Sequence, residues 1–172
     1  MDIYVREIEK RDLKNINKWR SNKNTVNNLG SPFRFINEDT DVNWFENYMS
    51  SRSRNVRLAI CDSSNDELIG SVYLLSIDWI NRSAEISIWI GDEKCRGKMV
   101  GFKAMSKMLT HAFCDLNLHR IYLTVLEKNE RAINLYKKIG FLDDGFLRDA
   151  VYKNGQYHNM YMMSLLRTEY NR

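Results

Sequence analysis

Glycines and basic side chains come together at residues 95–105, CRGKMVGFKAM, where a strand-like run ends and a helix-like run begins. The stretch holds two glycines and three basic residues: Gly97, Gly101, Arg96, Lys98 and Lys103. A helix N-terminus presents N–H groups without intrahelical acceptors at the positive end of the helix dipole, and it therefore attracts phosphate. Glycine lets the backbone approach such an anion closely. The pattern fits a phosphate cradle and, equally, an ordinary strand-to-helix turn that needs glycine.

The glycine spacing argues against two common nucleotide-binding loops. A Walker A loop has four residues between its glycines and then Lys and Ser or Thr. Here three residues separate Gly97 from Gly101, and Phe102 follows. The glycine pattern and the downstream acid of a dinucleotide fingerprint are missing as well. A nucleoside triphosphatase or a nicotinamide enzyme is therefore not expected.

Histidine and cysteine give no sign of a metal centre. The three histidines, His111, His119 and His158, are far apart and lack ligand spacing. The three cysteines are odd in number and scattered, which indicates reduced thiols rather than a disulfide framework. We expect no metal cofactor.

Composition indicates one globular α/β domain over residues 1–172, with 44% hydrophobic and 28% charged residues. The net charge of +4 is spread, since Lys and Arg alternate with Asp and Glu, so we expect no nucleic-acid partner. No apolar run is long enough to cross a bilayer, and the opening MDIYVREIEK lacks a signal pattern. We expect a cytoplasmic protein without a membrane partner.

Strands and helices alternate along the chain, which predicts a mixed α/β sheet. The predicted strands are residues 3–8, 56–62, 68–77, 83–91 and 120–126, followed by two strands joined at the Asn-Gly turn KNGQ. Helices are predicted after Asp12, from about Asp39, after the glycine stretch, and around 132–139 with Gly140 as the stop.

Two motifs resemble a known family, the GNAT superfamily of acetyl-CoA-dependent N-acetyltransferases. Its loop Gln/Arg-x-x-Gly-x-Gly/Ala is matched by Arg96 and Gly101, with Met99 at the middle glycine. From about residue 56 onward the chain resembles the RimJ/RimL-like branch. This resemblance rests on INRSAEISIWIG, on the closing NGQY turn, and on the pattern Asn129…Asn134-Leu135-Tyr136…Gly140-Phe141.

The resemblance implies a single-domain GNAT fold, with a mixed central sheet of about six to seven strands flanked by about four helices. It implies that acetyl-CoA is the co-substrate and that its diphosphate lies on the loop Arg96, Gly97, Lys98, Met99, Val100 and Gly101. The strand around Ile88, Trp89 and Ile90 should separate from residues 120–126, and the pantetheine arm should lie in that gap. Asn129 should touch this arm, and it also fits a plain helix N-cap.

Acetyl transfer requires a neutral amine, a stabilised carbonyl oxygen and a protonated leaving thiolate. An alkylamine like that of lysine is neutral in only about one of 2,500 molecules at pH 7. Glu85, on the strand face opposite the isoleucines, is the candidate base, and a glutamate in a surface or cross-strand salt bridge is the alternative. Tyr136 fits a core aromatic by periodicity, but the resemblance implies the acid that protonates the thiolate. The oxyanion would meet the N–H of Trp89 or of Ile90.

The substrate prediction depends on the segment between the two N-terminal helices. The C-terminal half is also similar to bacterial spermidine N-acetyltransferases, but the acidic pair of those enzymes is replaced here by NNLGSPFRFINED, where Arg34 lies among aromatics. We therefore favour an amine on a less cationic molecule, namely an amino sugar, an amino acid or a peptide N-terminus, in a site lined by Arg34 and Trp44. A polyamine acetyltransferase and a non-catalytic acyl-CoA-binding module are the alternatives, and assembly into a homodimer stays open.

Overall fold

The computed structural model describes residues 1–170 as a seven-stranded sheet with helices on both faces. The strands are β1 (Ile3–Glu7), β2 (Val56–Asp62), β3 (Leu68–Asp78), β4 (Ser83–Ile90), β5 (Arg120–Leu126), β6 (Leu142–Lys153) and β7 (Gln156–Leu166). The helices are α1 (Leu13–Arg20), α2 (Lys23–Asn27), α3 (Glu38–Ser50), α4 (Val100–Thr110) and α5 (Glu130–Ile139). Short 3-10 turns cover Lys10–Asp12, Arg52–Arg54 and Glu93–Cys95, and a π-helical turn, His111–Asp115, extends α4.

The sheet has the strand order β1-β2-β3-β4-β5-β7-β6. Every neighbouring pair is antiparallel except β4 and β5, which are parallel. The predicted mixed sheet is therefore confirmed. The predicted hairpin is confirmed too, because Lys153 pairs with Gln156 and both turn residues, Asn154 and Gly155, have positive φ angles of 51° and 83°.

Alternating side chains of β2 divide the core between the two faces. Ile60 belongs to the main core, which is shared with the buried residues of α4: Val100, Ala104, Met105, Met108 and Leu109. Ala59 and Cys61 point to the other face, where Ile16 of α1 and Tyr48 of α3 cover them. The helical spacing of apolar residues in α4 predicted this packing, since they recur every three or four positions.

Residues 1–170 form five α-helices where the resemblance implied about four. The additional helix is α2, five residues of sequence KNTVN that carry one apolar side chain, Val26. A helix this short shows no hydrophobic period and depends on caps and tertiary contacts. The Asn22 side chain supplies the cap by accepting the backbone N–H groups of Asn24 and Thr25. Across residues 1–170, every helix is too short or too polar to cross a membrane.

Candidate active site

The parallel strands β4 and β5 are paired only at their first three residues. Their register joins Ser83 to Arg120, Ala84 to Ile121 and Glu85 to Tyr122, and it ends there. Beyond that point β4 continues on β3 and β5 continues on β7. The predicted separation of the two strands is confirmed, and it opens a gap through the middle of the sheet.

Backbone groups of β4 that neither neighbouring strand uses face this gap. Gly91 donates its N–H to the Ile69 carbonyl of β3 (3.0 Å), and Trp89 lies two residues earlier in the same antiparallel ladder. Since hydrogen-bonded and non-bonded pairs alternate along such a ladder, Trp89 also turns its N–H and C=O towards β3. Ile88 and Ile90 therefore turn theirs towards the gap. Of the two N–H groups considered as oxyanion donors, the backbone directs that of Ile90 into the gap and that of Trp89 away from it.

The loop from β4 to α4 bends through two residues with positive φ. Gly97 has φ 86°, and Met99, which precedes α4, has φ 62° and ψ 8°. A left-handed conformation costs a residue with a β-carbon about 1–2 kcal/mol. The first N–H groups of α4, which begins at Val100, have no intrahelical acceptors. A Cβ on Gly101 would lie 3.1 Å from Leu135 Cδ2, so this glycine allows α4 to approach α5 closely.

The two basic side chains of the loop take different directions. Arg96 donates from Nε and Nη2 to the Ile90 carbonyl (both 3.3 Å) and pairs with Glu93 (3.1 Å), so it fastens the loop to the open end of β4. Lys98 is exposed and is not among the residues that line the cleft. It lies between the two left-handed residues, which turn the chain on either side of it.

Glu85 lies where β4 and β5 begin to separate. It is half-buried, and its neighbours across the two strands are Leu75 and Tyr122, neither of which is a cation. Within residues 1–170 no ion pair or hydrogen bond involves its carboxylate, which leaves the salt-bridge alternative without support. Burial raises the pKa of Glu85 above its usual range.

Tyr136 forms part of the opposite wall, on α5. It is 8% exposed, and its ring lies 6.0 Å from that of Phe141. Burial raises the pKa of Tyr136 to about 12, so the phenol keeps its proton at neutral pH. No group within residues 1–170 accepts a hydrogen bond from its hydroxyl.

Asn129 caps α5 and contacts the N-terminal half of the chain. Its Oδ1 accepts the N–H of Ala132 (3.2 Å), as an N-cap does. Its Nδ2 donates to the carbonyl of Asn28 (3.0 Å) at the end of α2. The cap is therefore confirmed, and the amide nitrogen of Asn129 binds the chain at the end of α2.

A single cleft of about 1170 Å³ joins the loop, the gap and the surface under α1 and α3. Apart from Lys98, all the predicted site residues line it: Glu85, Tyr136, Ile88, Trp89, Ile90, Arg96, Gly97, Met99, Val100, Gly101, Asn129, Arg34 and Trp44. Residues from four separate segments of the sequence thus meet in one cavity. Within residues 1–170 no three His, Cys, Asp or Glu side chains cluster as metal ligands.

Sequence reasoning missed the most distinctive side chain of the cleft, Arg57. Its guanidinium carbon lies 4.7 Å from the ring of Trp44, 4.9 Å from that of Tyr73 and 5.6 Å from that of Tyr48. Its Nε is buried without a hydrogen-bond partner, and burial lowers its pKa. Arg57 stands second in a strand with polar and apolar residues at its start, which resembles an exposed position. Only the register, which pairs it with Tyr73, reveals the aromatic surroundings.

Comparisons with known proteins agree with this geometry. The family model described as "Acetyltransferase (GNAT) domain" matches residues 5–162. A spermidine N(1)-acetyltransferase of Vibrio cholerae is 30% identical over 98% of this chain and 95% of its own, and a putative ribosomal N-acetyltransferase, YdaF of Bacillus subtilis, is 38% identical over 60% of this chain and 56% of its own.

Solved structures show the same architecture. The crystal structure of spermidine N-acetyltransferase from Vibrio cholerae in complex with CoA and spermine superposes with a TM-score of 0.89 at 30% identity, and the match covers 98% of this chain and 97% of that one. The match of the family model to nearly the whole chain and the sheet that opens between β4 and β5 lead to one conclusion: this chain belongs to the GNAT acetyltransferase family.

Proposed function

We propose that the protein transfers the acetyl group of acetyl-CoA to a primary amine by direct attack of the amine on the thioester. The observation that carries this proposal is the edge of β4 at Ile88 and Ile90 that no strand pairs with, which runs from the glycine loop towards Glu85 inside one cleft. An extended arm can bond to such an edge as an additional strand would. In this proposal an arm bound to that edge carries the acyl group towards the two candidate proton-transfer residues, Glu85 and Tyr136, which line the same cleft.

The loop residues fit the diphosphate of coenzyme A. Gly97 and Met99 are already in the left-handed conformation that exposes successive N–H groups, and the first turn of α4 offers further donors. The guanidinium of Arg131, on α5, lies close to Gly97. A Cβ built on Gly97 would be 3.7 Å from Nη2 of Arg131. Arg131 has no ion-pair partner within residues 1–170, so its charge is available to a phosphate. When bound, acetyl-CoA supplies the activated acyl group.

The proton transfers are assigned to residues on opposite walls. Glu85, whose pKa burial raises, accepts a proton from the substrate ammonium directly or through water, and the neutral amine then attacks the thioester carbon. The N–H of Ile90 stabilises the negative charge that develops on the carbonyl oxygen. Tyr136, whose pKa of about 12 keeps it protonated, donates to the leaving thiolate.

Glu85→Gln is expected to lower kcat/KM by about 10- to 100-fold at pH 7, because a positioned general base typically contributes 10²–10⁴-fold and a water relay recovers part of it. Burial raises the pKa of Glu85, so the carboxylate that accepts the proton forms at a higher pH than in an ordinary glutamate. The parent profile should therefore rise with pH across that region, the variant should lack this step, and the deficit should shrink at high pH where the amine is already neutral. Glu46→Gln, on the exposed face of α3, is the control. A variant that matches the parent at every pH would remove Glu85 from the mechanism.

We call the part of the cleft under α1 and α3 the acceptor end, because the amine would bind there. The charges at this end favour a substrate that carries an anion. Arg20, Arg34 and Arg57 line this end. Arg20 is neutralised by the buried Asp41, whereas Arg34 and Arg57 have no ion-pair partner within residues 1–170. Arg34 is exposed, whereas Arg57 is partly desolvated and contacts aromatic rings in place of a carboxylate, so an anion on the substrate would supply the counter-ion that Arg57 lacks. We therefore favour an amino sugar, amino acid or peptide N-terminus whose phosphate or carboxylate meets Arg57 or Arg34.

A polyamine is the second candidate, and the relatives support it. The Vibrio cholerae enzyme that covers 98% of this chain acts on spermidine, and a structure of that enzyme holds spermine. A polycation needs carboxylates at the site, because each ammonium brought out of water needs a partner. Within residues 1–170 the acidic side chains on the cleft wall are Glu85 and Glu130, and these must balance the arginines as well.

An amine panel decides between the candidates. Thiol release from acetyl-CoA is followed with spermidine, spermine, glucosamine, glucosamine 6-phosphate, free amino acids and a tripeptide. We expect the highest kcat/KM for an amine that carries a phosphate or carboxylate. Efficient acetylation of the polyamines, with poor rates on the others, would overturn this choice of substrate. Tight acetyl-CoA binding without thiol release for any amine would show a non-catalytic binding module instead.

Met99→Gly is expected to leave the fold intact and the dissociation constant for acetyl-CoA unchanged or lower. The glycine removes the left-handed strain at φ 62° and the half-exposed side chain on the cleft wall, and both changes ease the approach of a diphosphate. Isothermal calorimetry measures the constant. Ser76→Gly, at φ 53° away from the cleft, is the matched control. A loss of about tenfold in affinity, about 1.4 kcal/mol, would show that the Met99 side chain itself contributes to binding.

A further inference from the structure

Lys153, the last residue of β6, has its ammonium buried among backbone carbonyls. The residue is 5% exposed, and Nζ donates to the carbonyls of Val26 (2.8 Å), Asn27 (3.1 Å) and Leu29 (2.5 Å). Within residues 1–170 it has no carboxylate partner. Burial removes the ammonium from water and thereby lowers the pKa of Lys153. The three donors of an ammonium are thus matched by three acceptors, which offsets the desolvation of the charge.

These carbonyls belong to the C-terminal end of α2. The last carbonyls of a helix lack intrahelical donors and lie at the negative end of the helix dipole, so a cation is favourable there. With five residues α2 cannot be stable by itself. Asn129 binds the Asn28 carbonyl that lies between those held by Lys153. Four consecutive carbonyls, from residues 26 to 29, are therefore held by side chains from the C-terminal half of the chain.

The residues that follow this anchor form one wall of the acceptor end. We call residues 28–37 the acceptor segment; it has no helix or strand, and Asn28, Leu29, Gly30, Ser31, Pro32, Arg34 and Ile36 line the cleft. At its far end Asn37 caps α3 by accepting the N–H of Thr40 (3.0 Å). A segment without regular structure takes its position from its fixed ends. Lys153 and Asn129 fix one end, and the cap of α3 fixes the other.

We propose that Lys153 is a positioning residue for the amine substrate: by binding three carbonyls at the end of α2 it holds the acceptor segment, and with it Arg34, against the cleft. This inference rests on the proposed acetyl transfer. It assigns no contact between Lys153 and either substrate. Removing the ammonium should therefore weaken amine recognition more than acetyl-CoA binding, because within residues 1–170 the glycine loop, residues 96–101, has no hydrogen bond to residues 26–37.

The test compares Lys153→Met with the parent and with Lys14→Met, an equally drastic change at an exposed lysine of α1. Hydrogen exchange is measured for the amides of Val26 and Leu29, which α2 protects through the carbonyls of Asn22 and Val26. Steady-state kinetics use glucosamine 6-phosphate and spermidine as acceptors, and calorimetry gives the acetyl-CoA dissociation constant. In Lys153→Met we expect about tenfold faster exchange at these amides and an amine KM about tenfold higher. The acetyl-CoA constant should stay within about twofold.

Unchanged exchange and unchanged amine KM in a folded Lys153→Met would overturn the proposal, as would a loss of acetyl-CoA affinity equal to the loss of amine affinity. If Lys153→Met does not fold, Lys153→Gln, whose shorter neutral amide has two donors and cannot bind all three carbonyls, replaces it under the same criteria. The exchange measurement needs no turnover. An inactive parent with α2 destabilised only in the Lys153 variant would refute acetyl transfer and leave the anchor established, so the two failures are distinguishable.

Discussion

Tyr136→Phe is expected to lower kcat for acetyl transfer by about 100-fold or more and to leave acetyl-CoA affinity nearly unchanged. The ring is buried in the core and packs on Phe141, and phenylalanine keeps that packing. The variant loses only the hydroxyl, which a pKa of about 12 keeps protonated throughout the neutral range. General acid catalysis typically contributes 10²–10⁴-fold, and this sets the size of the effect.

Single-turnover thiol release and calorimetry on the same samples separate turnover from binding. Tyr157→Phe is the matched control, since that tyrosine is 63% exposed on the β6–β7 hairpin and does not line the cleft. A poor leaving group needs the acid and a good one does not, so the loss should shrink with an acetyl thioester of a more acidic thiol. Equal losses of turnover and cofactor affinity would indicate that Tyr136 acts by packing.

Gly101→Leu is expected to weaken acetyl-CoA binding by about 100-fold, equivalent to about 2.8 kcal/mol. Gly101 lies in the first turn of α4 on the cleft wall, and any Cβ there already lies 3.1 Å from Leu135 Cδ2. The tip of Leu135 can move to admit a methyl group, but a leucine side chain must either force α4 from α5 or enter the cleft in front of the loop amides. Both outcomes remove the close backbone approach that an anion needs.

The matched control is Gly145→Leu, because a Cβ at that position meets nothing within 4 Å. Calorimetry gives the dissociation constants, and thermal melting in the absence of ligand reports any loss of stability. An affinity equal to that of the parent, in a Gly101→Leu protein that melts as the control does, would place the diphosphate site elsewhere.

Most of the sheet could be predicted because its strands carry local signals: β1 and β4 alternate apolar and polar residues with a period of two, and β6 and β7 meet at an Asn-Gly turn. The boundaries of β2 and β5 coincide with the predicted ranges of 56–62 and 120–126. The glycine loop was recognisable for a related reason: a left-handed turn and a helix start leave glycine at fixed positions. These are local properties of the chain, and one sequence is enough to find them.

The acceptor side could not be predicted, because it depends on contacts between distant segments. Lys153 joins residues more than 120 positions away, and Arg57 owes its surroundings to the pairing of β2 with β3 and to α3 above it. A lysine in a hairpin and an arginine near a strand start both resemble surface residues in the sequence. The exposure of Lys98 could not be predicted either, because it follows from the backbone angles of Gly97 and Met99 and not from the residue type.

The short pairing of β4 with β5 also has a consequence for folding. Strands β2, β3 and β4 follow one another as antiparallel neighbours, so that part of the sheet can form from contacts close in sequence. Strand β5 gains its longest pairing only when β7 arrives, whose partner residues lie 34 to 46 positions further along the chain. With three residue pairs between the two parts, the sheet resembles two cooperative units held by the core beneath them. A ligand that bridges the gap therefore joins the units, and mass action makes it a stabiliser of the whole fold.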